Sequence, residues 1–263
     1  MKPEIFSEIG PIEKVIVHAP GNEHNDVLPM HVQQYIEEQD KITKNKDFLL
    51  FDDIIDIKLA KAQHQTFKDI INFYRPNSCI EISSLYEDKD SFDNLLEDRF
   101  PPINLMYTRD IAAIIGNNIF LTYSHSMVRR KESVLAEDLF NSSIFEDYTI
   151  IDFKQIGKGL SLEGGDIFVI SDEIVFIGIS ERTSKEAIDL IIPYIFKQNF
   201  KHVIALDLPK KRSMMHLDTI FTQISKNEAI LFDDSGSNSI SNLDVYLASK
   251  NNGNEKLEKT DNN

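Results

Sequence analysis

The chain has 263 residues, enough for one or two domains with a sizeable core. Hydrophobic residues make up 41%, which excludes disorder throughout. A net charge of −15 argues against a nucleic-acid or anionic-membrane surface and is compatible with a small cationic substrate. The single cysteine, Cys79, excludes an intramolecular disulfide framework and suits a reducing compartment. The stretch Met1 to Phe6 has no apolar signal-peptide core, and no apolar run is long enough to span a bilayer. A cytoplasmic protein is expected.

Strand and helix signals alternate along the chain. Lys14 to Ala19 is a β-branched run closed by Pro20-Gly21, a strand and a turn. Asp52 to Tyr74 carries Ile55, Leu59, Ala62, Phe67, Ile70 and Ile71 at helical spacing. Pro76-Asn77 ends that helix, and Ser78 to Ile82 reads as a strand. Leu85 to Phe100 is acidic and predicts a short helix, broken by Pro101-Pro102. Ile111 to Ile115 and Ile119 to Thr122 form a strand pair around Gly116-Asn117-Asn118, which favours a tight turn.

The pattern then repeats. Arg130 to Phe140 is helical and Tyr148 to Phe153 a strand. Asp166 to Ile170 and Ile174 to Ile179 form a second hairpin. Ser184 to Phe196 is a helix with a serine N-cap and Glu186 in its first turn, and Val203 to Leu206 a strand. Thr219 to Ile224 and Ala229 to Phe232 make a third pair. The repeat of strand, strand, helix, strand suggests a radial or propeller-like α/β architecture, not a doubly wound sheet. No Gly-rich phosphate loop is present, so no nucleotide cofactor is expected. From Asp233 the chain turns polar. Leu243 to Ala248 reads as one strand, and Asn251 to Asn263 is expected to be without structure.

Three polar motifs precede the hairpins: Thr108-Arg109-Asp110, Glu163-Gly164-Gly165-Asp166 and His216-Leu217-Asp218. Carboxylates receive a planar guanidinium well, because two oxygens match two N–H groups. Attack at its central carbon needs a strong nucleophile such as a thiolate. Departure of ammonia needs a proton donor, and a histidine can serve both that step and the later attack by water. Asp110, Asp218, Glu163 and His216 supply every part except the nucleophile. Each also has a structural reading. Asp110 can pair with Arg109 at a turn, Glu163 can be a turn acid, and His216 with Asp218 can be a polar rim. Arg182 can be a helix-start ion pair, Arg129 can open a solvated helix face, and Cys79 can be a core residue. His18, His24, His31, His64, His125 and His202 lack metal-ligand spacing with one another, so no metal is expected.

Together the motifs resemble the arginine deiminase family. They are Ser7-Glu8-Ile9-Gly10 leading into the first strand, Leu50-Phe51-Asp52-Asp53, Asn104-Leu105 with Tyr107-Thr108-Arg109-Asp110, Leu162-Glu163-Gly164-Gly165-Asp166, Gly178 to Ser184, and Met215-His216-Leu217-Asp218-Thr219. They stand in family order up to about Phe232. The resemblance implies a pentein-type α/β propeller of ββαβ modules around a central site, with residues 1–232 as a partial catalytic domain and 233–263 as a polar tail. It implies hydrolysis of L-arginine to L-citrulline and ammonia through a thiouronium intermediate, with no cofactor. By motif, Asp110 and Asp218 bind the guanidinium, His216 is general acid and base, and Glu163 assists it. Asn104, Arg129 and Arg182 hold the α-carboxylate.

Two departures accompany the resemblance. The family's helical insertion before Thr108-Arg109-Asp110 is short or missing. The Gly-rich, Met-containing segment that carries the family's nucleophilic cysteine has no counterpart here, so the fold is expected to be incomplete at its C-terminus. An open edge left there predicts poor stability or self-association across it. The alternative readings are a non-catalytic guanidino-compound binder or regulator, and an amidinotransferase of the same fold.

Overall fold

The computed structural model describes residues 4–38, 41–85, 102–232, 242–250 and 254–260. The chain divides into two compact units. Among the described residues no helix is long and apolar enough to cross a membrane.

One unit holds residues 12–108 and 126–135. Its strand β1 (Val15–Val17) pairs in parallel with a later strand, and β2 (Tyr35–Glu38) pairs antiparallel with β3 (Lys41–Lys44). Helix α1 (Ile57–Tyr74) starts five residues later than the apolar spacing predicts. The reason is Asp56, whose side chain accepts hydrogen bonds from the Lys58 and Leu59 amides and so fixes the N-cap. Strand β4 (Cys79–Glu81) completes the pair with β1, joining Val15 to Cys79 and Val17 to Glu81. A small core of Leu49, Ile103 and Val128 sits under Val27, Leu50 and Phe51. The acidic helix expected over Leu85 to Phe100 falls almost wholly on residues 86–100, outside the described residues.

The other unit holds residues 1–11, 109–125 and 136–263. It contains two three-stranded arrangements of one topology. Strands β5 (Ala112–Ile115) and β6 (Asn118–Leu121) form an antiparallel hairpin, and Gly116 supplies the positive φ (59°) its two-residue turn needs. Helix α2 (Arg130–Phe140), of which residues 136–140 belong to this unit, leads to β7 (Thr149–Asp152), which lies parallel to β6. After the single turn α3 (Phe153–Ile156), β8 (Ile167–Val169) and β9 (Ile174–Ile179) make the second hairpin. Helix α4 (Lys185–Lys197) leads to β10 (His202–Asp207), parallel to β9. The expected ββαβ repeat is therefore present twice in a mixed α/β fold.

Helix α4 shows why this unit holds together. Ser184 caps it by accepting from the Ala187 amide, and Ile188, Ile191, Ile192 and Ile195 are fully buried on one face. Each contributes about 1.5–3 kcal/mol relative to exposure. They join Val175, Ile177, Val203 and Ala205 from the sheet beneath in the main core. The third hairpin, β11 (Phe221–Ser225) with β12 (Glu228–Leu231), leaves Ile224, Ile230, Leu231 and Phe232 exposed.

Part of the tail expected to be without structure is ordered. Strand β13 (Val245–Ser249) pairs with β10, and β14 (Asn254–Lys259) pairs with β13, extending the sheet to the order β14-β13-β10-β9-β8. Leu257 is buried in the main core, and its amide donates to Asp189 on α4 at 2.8 Å. Backbone pairing and one inward leucine hold a strand whose other side chains are polar.

Candidate active site

The same local device presents each polar motif: a short 3-10 turn that runs within one residue into a strand. Asp110 lies in the turn Thr108–Ile111 before β5, Glu163 immediately precedes the turn Gly164–Asp166 before β8, and His216 precedes the turn Leu217–Thr219 before β11. The turns approach one another at backbone contact. A Cβ on Gly164 would collide with the Arg109 carbonyl oxygen, so only glycine permits the approach. A Cβ on Gly165 would lie 2.6 Å from His216 Nδ1, 2.8 Å from Asp110 Oδ1 and 2.9 Å from Asp218 Oδ2. Three polar side-chain atoms thus converge on a space that Gly165 keeps clear.

His216 is the centre of the cluster. It is 5% exposed. Its Nε2 and Glu163 Oε2 share a hydrogen bond of 2.8 Å. The other ring nitrogen, Nδ1, faces Asp110 Oδ1 at 3.7 Å and Asp218 Oδ1 at 3.9 Å. Burial alone would lower the imidazole's pKa. The hydrogen bond to Glu163 and the charges of Asp110 and Asp166 outweigh it and raise the value to about 9.

Glu163 is held from several sides. Its Oε1 accepts from Ser124 Oγ at 2.7 Å and from the His125 amide at 2.9 Å, and its own amide donates to Thr183 Oγ1. Arg182 Nη1 stands 3.9 Å from that same oxygen, and its Nη2 lies 3.7 Å from Met215 Sδ. Arg182 is buried, and its Nε has no hydrogen-bond partner among the described residues.

Asp218 is the most exposed carboxylate of the cluster, with 29% of its side chain accessible. Partial burial raises its pKa to about 6 against the opposing pull of His216. Arg109 stands beside it, Nε to Oδ2 at 3.8 Å. Arg109 is also paired with Glu8 at 3.1 Å, donates to the Ile167 carbonyl, and lies over the Phe168 ring at 4.3 Å. It is a scaffold residue that joins the N-terminal segment to β8.

This geometry surrounds the His216 imidazole with the carboxylates of Glu163, Asp110 and Asp218. Residues 80–261 match the sequence pattern of the arginine deiminase family. The chain belongs to that family. The arginine deiminase of Borreliella burgdorferi (strain ZS7) is 31% identical, over 84% of this chain and 66% of that protein. That of Listeria monocytogenes serotype 4b (strain CLIP80459) is 27% identical over the same shares. The matched stretch thus spans just under two thirds of the length of these curated relatives. Among solved structures, a cysteine-to-serine variant of the dimethylarginine dimethylaminohydrolase from Pseudomonas aeruginosa, complexed with citrulline, superposes with a TM-score of 0.56 at 16% identity. That match covers 86% of this chain and 72% of the other, and shows a shared mixed α/β fold.

In this arginine deiminase-family chain the structure brings Asp110, Glu163, Arg182, His216 and Asp218 together in one unit. Asn104 and Arg129 lie in the other unit, where they meet each other. Arg129 Nη2 donates to the Asn104 carbonyl at 3.3 Å, and Asn104 Nδ2 donates to the Leu49 carbonyl at 2.8 Å. Arg129 also makes a buried ion pair with Glu132 through both Nε and Nη2. Cys79 lies in that unit too, in β4, with Sγ 4.0 Å from the Lys68 carbonyl.

Asp166 is a site residue that sequence reasoning left as part of a motif without a role. It is fully buried. Its Oδ2 accepts from Ser180 Oγ at 2.6 Å, and its Oδ1 accepts from the Leu217 amide at 2.9 Å. It therefore pins the residue between His216 and Asp218. Burial raises its pKa to about 7, against the lowering pull of His216 and its hydrogen bonds. The sequence signal is an acid directly after two glycines and directly before an apolar strand. Glu132 is a second such residue, signalled only by its three-residue spacing from Arg129.

Proposed function

We propose that the cluster binds a guanidinium group and that it is the acid–base half of an arginine-hydrolysing site, converting L-arginine to L-citrulline and ammonia. The observation that carries this reading is His216 held on one side by Glu163 and facing two carboxylates on the other. Asp110 and Asp218 would accept N–H groups of the substrate fork. A thiolate would attack the guanidinium carbon. His216 would give its proton to the departing nitrogen as ammonia leaves, producing a thiouronium. Water would then attack, His216 would take a proton from it, and the thiolate would be expelled to leave citrulline. Arg182 would hold the α-carboxylate, the role that the family motifs also give to Asn104 and Arg129. The pentein arrangement, with ββαβ modules around a shared centre, is the architecture in which these roles fit together. The exposed residues of β12 motivate self-association across that hairpin.

Cys79 is the sole cysteine of the sequence, and its place in a β1–β4 strand pair gives it no nucleophilic role in this account. This favours one second reading: the chain binds guanidino compounds without turning them over. The two readings separate on citrulline formation. This chain alone is expected to bind L-arginine without forming citrulline, and this chain joined to a cysteine-bearing C-terminal segment of a family member is expected to form it. Turnover of agmatine but not arginine by the joined protein would overturn the substrate assignment.

A further inference from the structure

We propose that Asp110, His216 and Asp218 form a binding site for one divalent transition-metal ion of the zinc class, and that this ion and a guanidinium exclude each other. The competition rests on the guanidinium reading above; the metal site stands on the cluster's own geometry.

One ligand atom from each residue falls within 4.8 Å of the other two. His216 Nδ1 is 3.7 Å from Asp110 Oδ1 and 3.9 Å from Asp218 Oδ1. Tetrahedral coordination at zinc bond lengths separates ligand atoms by about 3.4 Å, so small side-chain rotations close the set on an ion. His216 is nine-tenths buried, and neither carboxylate is within hydrogen-bond distance of its Nδ1. With Nε2 donating to Glu163, the neutral form of the ring presents its Nδ1 lone pair to the cluster. That is the carboxylate–histidine–metal arrangement, in which the second-shell acid orients the ligand and raises its basicity. Gly165 keeps the converging space free of side-chain atoms.

The ligand chemistry selects among ions. One imidazole with two carboxylates suits zinc, cobalt or manganese better than calcium or magnesium, which favour all-oxygen shells, or soft thiolate-seeking ions. The charged groups facing the cluster are Glu163 and Asp166 on the negative side, and Arg109 beside Asp218 and Arg182 beside Glu163 on the positive side.

Cobalt(II) is the probe, because its visible d–d absorption reports both binding and coordination. At pH 8 the chain is expected to bind one cobalt ion with a tetrahedral spectrum. Asp218→Asn and His216→Ala should each weaken binding at least 100-fold, and Glu163→Gln should keep the spectrum while weakening binding about 10- to 100-fold. Melting monitored by circular dichroism checks that each variant folds, and the partly exposed Asp218 serves as the deciding variant where His216→Ala does not. Absence of the spectrum in the native chain, or its persistence in Asp218→Asn, would overturn the metal site. L-Arginine should displace cobalt. If cobalt binds through these residues and arginine neither binds nor displaces it, the guanidinium reading fails and the metal site stands. If arginine binds through Asp110 and Asp218 and cobalt does not, the metal site fails alone.

Discussion

Glu163 Oε2 and His216 Nε2 meet at 2.8 Å with both side chains buried, and this contact sets the chemistry of the cluster. It fixes the ring's orientation, so that Nδ1 faces Asp110 and Asp218. It also holds the imidazole in its protonated form well above the usual histidine range. Glu163→Gln keeps the shape and removes the charge. The His216 imidazole is expected to titrate at least one unit lower in that variant, read by nitrogen-15 NMR of the ring. An unchanged titration would remove Glu163 from the role given to it.

Gly165 tests the convergence of the three atoms. A methyl group there would press on His216, Asp110 and Asp218 together. Gly165→Ala should abolish arginine binding while costing about 1–3 kcal/mol of stability, the usual range for overpacking. Chemical denaturation and calorimetry on one sample give both numbers. Retained affinity would mean that the space is not where the ligand sits.

The pH dependence of stability follows from His216. Its folded-state pKa, about 9, lies above the unfolded value near 6.5. The folded state therefore binds the proton more tightly. Its stabilising contribution is complete below about pH 6.5 and is lost as pH rises through 9. The melting temperature should fall between pH 7 and 9.5, and His216→Asn should flatten the fall. His24 and His64 act in the opposite direction. Burial depresses both, so their contribution is lost as pH falls below the ordinary histidine value.

Asp166 offers a test of positioning without direct contact with the ligand. Asp166→Ala leaves the Ser180 hydroxyl and the Leu217 amide unpaired in a fully buried site, at about 1–3 kcal/mol each. Asp166→Asn keeps an acceptor oxygen and should recover most of that stability. Because Asp166 also raises the His216 pKa, the asparagine variant should still lower the His216 titration. A purely structural residue would leave that titration unmoved.

Much of this was legible in the sequence because local rules and tertiary packing agreed. Helix α2 runs over the residues its apolar positions indicate, and Gly116 placed the first hairpin turn. Ser184 capped α4 as its identity suggests. The helix before Pro76 was drawn too long because the apolar spacing continued through Ile55, while Asp56 decided the start. Strand β14 is not legible in the sequence because a single residue, Leu257, enters the core, and the pairing with β13 and the bond to Asp189 come from distant parts of the chain. In the site, the motifs named Asp110, Glu163, His216 and Asp218, since each chemistry needs its own residue type. Glu132 stands three residues from Arg129, and that spacing was the one local sign of their pairing. Nothing local shows that Asp166 holds the segment after His216, because that contact joins chain segments brought together by the fold.

Calorimetric titration of L-arginine into the native chain and into Asp218→Asn tests the guanidinium site most directly. The account predicts one arginine per chain, with affinity lowered about tenfold or more when a charge-assisted pair is removed. Equal affinity in the two proteins, or no heat of binding to the native chain, would contradict it.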